Sequence, residues 1–163
     1  MIPLSLVGVR VEVPSNQPIV LLREIEGTRY LPIFVGAPEA TAIVYAMQGM
    51  DTPRPMTHDL FKQVLDDQQV VLHRVDITAL EDRTFFAELH LEHDGVTRRV
   101  DSRPSDAIAL AVRFGPDQVT IFADESVMDE AGVELPEDGD EAEVEVEQFR
   151  EFLETISPED FAD

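Results

Sequence analysis

Two trios of strand-like runs, each followed by a stretch with helical spacing, set the limits on how this chain can fold. A period of two places alternate side chains on one face of a strand, whereas spacings of three and four place them on one stripe of a helix. The first trio begins with Leu4–Val13, in which Val7, Val9, Val11 and Val13 share a face opposite Gly8, Arg10 and Glu12. Pro18–Ile25 and Arg29–Val35 follow, joined across the tight turn Glu26-Gly27-Thr28. The second trio is Val70–Leu80, Thr84–His93 and Val96–Ser102, with Asp94-Gly95 as a strong hairpin signal. In its middle strand Phe85, Ala87, Leu89 and Leu91 mark one face, and Glu88, His90 and Glu92 the other.

Helices are expected between and after these trios. Gly36-Ala37-Pro38-Glu39 reads as a helix start, and the helix to about Gln48 is apolar nearly all round, which predicts burial. Thr57 is expected to cap a second helix to about Asp67, with Leu60, Phe61, Val64 and Leu65 facing inward. Pro104 opens a third helix, Ser105–Phe114, which has almost no polar face and is stopped by Gly115-Pro116. A short strand at Val119–Ala123 and a short helix at Glu125–Ala131 come next. Phe149, Phe152, Leu153 and Ile156 then recur at i, i+3, i+4 and i+7, the stripe of a C-terminal amphipathic helix that either docks on the body or binds a partner. Grouped strands with helices between them predict an α+β fold, a mixed or antiparallel sheet with helices packed against it. The expected division is a domain over 1–134, an acidic linker over 135–143 and a helical tail over 144–163.

Composition removes several classes of function. The chain has 163 residues and no cysteine, so disulfides, thiolate metal sites and cysteine nucleophiles are excluded. Met1–Ser5 lacks a charged segment leading into an apolar run, and about 18 apolar residues never run together, so a cytoplasmic, membrane-free protein is expected. The net charge of −22 is uneven: residues 124–163 carry 17 acidic residues against one basic, and residues 1–123 carry 17 against 11. Such a balance disfavours tight duplex binding, which draws its affinity from basic residues on phosphate. It leaves room for a metal-dependent nuclease, whose acidic ligands the ion itself neutralises.

Two polar clusters sit at expected helix starts: Pro53-Arg54-Pro55-Met56-Thr57-His58-Asp59 and Ser102-Arg103-Pro104-Ser105-Asp106. Each combines an arginine, a hydroxyl and an aspartate where unpaired N–H groups and a positive dipole end favour phosphate. Thr57 and Ser105 are equally suited to plain capping, and Asp59, Asp106 and Glu39 to dipole compensation, which on local sequence alone is the commoner role. His58 suits general acid–base work, since a free imidazole titrates near roughly 6.5. His73, His90 and His93 lie on strands without partners at ligand spacing and read as surface or edge residues.

Tyr30–Gly36 with Glu39-Ala40, then Pro53-Arg54-Pro55 with Thr57-His58-Asp59-Leu60, then Ser102–Ala111, resemble the bifunctional nuclease domain. Val127–Gly132 fits as well, and Phe149–Phe161 is similar to the tail of bacterial members. The resemblance implies an α+β domain and nuclease activity on RNA and DNA. Residue types at these matching positions, together with the resemblance, give the expected site: His58, Asp59 and Asp106 catalytic; Arg54, Thr57, Arg103 and Ser105 holding substrate; Glu39, Asp59 and Asp106 binding Mg²⁺ or Mn²⁺. The expected partner is nucleic acid, single-stranded rather than duplex, or a nucleotide, and the expected assembly is a homodimer. The rival expectation is a non-catalytic nucleotide- or anion-binding regulatory module, or one that recruits proteins.

Overall fold

A computed structural model describes residues 1–135. Among them the elements are β1 (Ile2–Glu12), β2 (Gln17–Glu24), β3 (Arg29–Phe34), α1 (Ala37–Met47), α2 (Thr57–Asp67), β4 (Val71–Glu81), β5 (Thr84–His93), β6 (Val96–Ser102), α3 (Pro104–Phe114), β7 (Thr120–Ala123), α4 (Glu125–Ala131) and β8 (Val133–Glu134). The strands form one sheet in the order β6-β5-β4-β7-β1-β2-β3-β8. Each trio is a local antiparallel meander, and β7 stitches them together, antiparallel to β1 and parallel to β4. The result is the α+β, mixed-sheet architecture that the periodicity predicts. At the β5–β6 hairpin, Asp94 and Gly95 both take left-handed φ values, 50° and 74°, the pair a two-residue turn of matching twist requires.

α1 and α3 pack side by side, with α3 also against β4, β5 and β7 and against α2. That placement explains why α3 lacks a polar face: Ala107, Ile108, Ala109 and Leu110 are all wholly buried. The same core holds Leu22 and Leu31 of the first meander, Val75 and Ile77 of the second, and Val127 and Met128 of α4.

Several local expectations need correction. In β1 the register against β2 shifts between Leu6 and Gly8, so the side-chain phase changes there. Leu4 and Val9 are buried while Val7 and Val13 face solvent, and the single valine face is lost. In α2 only Leu65 of the expected stripe is buried; Leu60, Phe61 and Val64 are exposed, and His58 points inward. Thr57 does not cap α2 either. Met56 holds the cap position, and its N–H donates to the Asp59 carboxylate at 2.9 Å. His90 is no surface residue: its Nε2 lies 2.8 Å from the buried Asp76 carboxylate, which Arg74 also binds at 2.6 Å. Glu134, the last residue of the expected domain, lies in β8 opposite Arg29 of β3, as that division allows. The acidic linker beyond Leu135 and the C-terminal helix lie outside the described residues.

Candidate functional site

Three helices begin at one place. Arg103, immediately before α3, donates from Nε to Asp106 Oδ2 at 2.7 Å and from a terminal nitrogen to Glu39 Oε1 at 2.9 Å. His58, in the first turn of α2, lies with Nε2 2.9 Å from Asp106 Oδ1. Glu39, Arg103, Asp106 and His58 therefore form one continuous polar chain across the starts of α1, α2 and α3. The fold brings Glu39 to Arg103 across 64 residues of sequence and His58 to Asp106 across 48.

Each position has a local cause. Extended backbone at Gly36 starts α1, and the Glu39 carboxylate folds back over that glycine, where an added Cβ would collide with it. Proline in the first turn of α1 and of α3 starts each helix without wasting an N–H, since the first four have no helical partner. Three helix starts also superpose three positive dipole ends, which favours the carboxylates already there and any anion that joins them.

The electrostatics follow from these contacts. Burial pushes the Asp106 carboxyl up, but hydrogen bonds from Arg103 and His58 outweigh it and hold the group below the usual aspartate range. Asp106 and then Glu39 push the Arg103 guanidinium above its ordinary value. An ionised Asp106 can only accept, so His58 Nε2 carries a proton and Nδ1 is the basic nitrogen. A carboxylate that fixes the tautomer and orientation of an imidazole is the arrangement general-base catalysis needs. The His58 side chain is 11% exposed, Asp106 34% and Arg103 65%, so the chain of contacts runs from a sheltered imidazole to an open guanidinium.

Asp59 stands apart. Its Oδ1 accepts from Arg113 Nε at 2.6 Å and its other oxygen caps the start of α2. Burial raises this carboxyl as well, and Arg113 and the Met56 N–H together leave it lowered. Arg113 was not foreseen as a partner. Its signal was there, as the lone cation in the last turn of a helix otherwise apolar beyond Asp106, and it also donates to the Ala109 carbonyl at 2.6 Å. Thr57 is exposed next to His58, Arg54 is exposed in the loop before α2, and Ser105 is buried in the first turn of α3. The Arg54 backbone carbonyl accepts from the Thr52 hydroxyl at 2.6 Å, which ties down the loop carrying its side chain.

The donor set does not assemble into a ready metal centre. Among the described residues no three His, Asp or Glu side chains gather to hold one ion. Arg103 lies between Glu39 and Asp106, and Asp59 is turned to Arg113. No described helix is long and apolar enough to cross a membrane.

Comparison with known proteins identifies the family. Residues 20–136 match the model of the bifunctional nuclease domain. An uncharacterized protein of Mycobacterium tuberculosis is 44% identical over 161 residues, covering 95% of this chain and 94% of its own. Bifunctional nuclease 1 of Arabidopsis thaliana is 30% identical over 103 residues, 61% of this chain and 32% of its own. Bifunctional nuclease 2 of the same plant is 32% identical over 98 residues, 58% of this chain and 30% of its own. The polar chain at the three helix starts is carried by segments inside the matched region, and the protein belongs to the bifunctional nuclease domain family.

Proposed function

We propose that this protein hydrolyses phosphodiester bonds of single-stranded RNA or DNA at the shared start of α1, α2 and α3. The observation that carries the reading is the His58–Asp106 pair set against Arg103, assembled from segments 48 residues apart. In this scheme the substrate phosphate meets Arg103, Arg54 and the uncapped starts of α1 and α3, with Thr57 and the backbone around Ser105 at its edge. His58 Nδ1 removes a proton from the attacking water as its oxygen bonds to phosphorus. The bond from phosphorus to the leaving sugar oxygen breaks, and that oxygen takes a proton from solvent. Asp106 keeps the imidazole oriented and stabilises its charged form; Asp59 seats the first turn of α2 through Arg113.

Mg²⁺ or Mn²⁺ belongs to the same proposal. Glu39 and Asp106 are the carboxylates available to an ion when Arg103 turns from them to phosphate, and the ion would supply charge neutralisation at the phosphate oxygens. No proton transfer above depends on it.

The test is cleavage of labelled single-stranded RNA and DNA with Mg²⁺, Mn²⁺ or EDTA, by the protein and by Asp106→Ala and His58→Gln. Cutting that both substitutions abolish supports the site. Cutting that survives both removes it, and loss of cutting in EDTA assigns the ion a part.

A second reading is favoured by one feature: Arg103 is already satisfied by two carboxylates, so the network is closed without substrate. A silent module would bind nucleotide or phosphate there without cleavage. Saturable mononucleotide binding, lost in Arg103→Ala, with no cutting under any metal condition would establish it.

A further inference from the structure

A concavity lies at the far ends of α1 and α3, away from the starts that build the site. It has a volume of about 490 Å³ and is lined by Leu4, Leu6, Ile25, Met47, Val112 and Ile121, among other mainly apolar groups. Met47 closes α1, and Val112 lies in the last turn of α3. Glu39 and Asp106 mark their opposite ends, so the pocket is a separate feature from the polar chain.

The course of the chain indicates what fills it. β8 runs antiparallel to β3 with Glu134 opposite Arg29, and the Thr28 hydroxyl donates to the Glu134 carboxylate at 3.1 Å. The chain therefore leaves the described body beside the β2–β3 turn. Ile25, which opens that turn, lies on the pocket wall, its N–H bonded to the Pro3 carbonyl at 3.1 Å. The 28 residues beyond Leu135 contain the apolar positions Phe149, Phe152, Leu153 and Ile156 at helical spacing. The 14 residues from Leu135 to Phe149 can span about 46–50 Å when extended, ample to cover a pocket that begins next to the exit. An apolar opening of this size and an apolar stripe on the same chain each cost free energy if left in water.

We propose that this pocket is the seat of the chain's own C-terminal stripe, Phe149, Phe152, Leu153 and Ile156. The exposed α2 residues Leu60, Phe61 and Val64 are the competing surface. They lack the pocket's position beside the exit of the chain.

The absence of cysteine makes the test clean. Single reporters Met47→Cys at the pocket, Phe61→Cys on α2 and Val100→Cys on the edge strand β6 are placed in the full chain and reacted with a maleimide. Each is made with the native tail and with Phe152→Glu plus Ile156→Glu. Seating in the pocket for nine-tenths of the time slows labelling of Met47→Cys by about tenfold relative to the charged tail, and leaves the other two unchanged. Equal Met47→Cys rates with both tails overturn the proposal, and so does protection at Phe61→Cys instead. Oxidation of Met47→Cys with Phe152→Cys tells the chain's own tail from a neighbour's. A bridge within one chain supports the proposal; bridges only between chains overturn it. Thermal melts of every variant check that the reporters read tail position on a folded body.

Discussion

His58 and Asp106 are each ordinary in the sequence and informative only together. A histidine just inside a helix and an aspartate in a first turn have common structural uses. What changes their meaning is the 2.9 Å contact between them and the second grip of Arg103 on the same carboxylate. If the pair works as a unit, removing either member removes the function of both. His58→Gln and Asp106→Asn are each expected to lower the single-turnover cleavage rate by about 10²–10⁴-fold, and the double variant to be no worse than the weaker single. Multiplicative losses would show that the two residues act independently.

Titration supplies a second prediction at this scale. Hydrogen bonding to Arg29 outweighs burial at Glu24, and cationic partners likewise hold Asp59 and Asp106 low. A carboxyl lowered by folding contributes stability above its unfolded value and loses that contribution as pH falls through the folded one. The urea midpoint is therefore expected to begin its loss below about 4.5 and 3.8, where free glutamate and aspartate titrate, and to continue falling under both. Acid also relieves the self-repulsion of a chain with net charge −22, which acts in the opposite direction. Comparison with Asp106→Asn isolates the local part: the variant should lose less stability than the wild type between pH 5 and 3, and an equal loss would rule out Asp106 as a contributor.

At the scale of elements, what could be read from sequence was whatever local periodicity controls. The two meanders, the wholly apolar α3 and the Asp94-Gly95 hairpin follow from spacing and turn chemistry, and all are present. The failures share a cause in tertiary placement. A bulge at Val7 changes the phase of β1, and nothing in the alternation of its valines announces it. β8 is two residues long, too short to have a period, and exists because β3 offers an edge. His90 reads as a surface residue from sequence because its partner, Asp76, lies on the neighbouring strand and not at local ligand spacing. α2 shows the limit best, since an apolar stripe specifies a face without specifying what covers it. In α2 the polar His58 goes inward to meet Asp106, and Leu60, Phe61 and Val64 are turned out. Leu65→Ala is accordingly expected to cost about 2–5 kcal/mol. Val64→Gln should stay within about 0.5 kcal/mol, as a surface change does. Urea unfolding of the two variants checks the orientation; similar large losses would mean that both positions are covered.

On the scale of the whole molecule, charge and site pull in opposite directions. A nuclease must attract a polyanion, yet residues 1–123 carry 17 acidic groups against 11 basic ones and the remainder is more acidic still. At the proposed site the attraction comes from the helix starts, Arg54 and an Arg103 that two carboxylates already neutralise. Two phosphate contacts on a single strand set a log–log salt slope of about −1.4 at most, because each released counterion contributes about −0.7. Repulsion from the rest of the surface works against even that at low salt, where the screening length is about 30 Å at 0.01 M and falls to about 10 Å at 0.1 M. Cleavage efficiency on single-stranded RNA is thus expected to hold or rise across that range and to fall only gently above it. A steep decline from the lowest salt would mean that a basic surface larger than Arg54 and Arg103 binds the strand. Arg54→Ala separates the two components, because it removes an attractive contact while leaving the acidic field in place. It should lower cleavage at every salt concentration and make the rise between 0.01 and 0.1 M steeper.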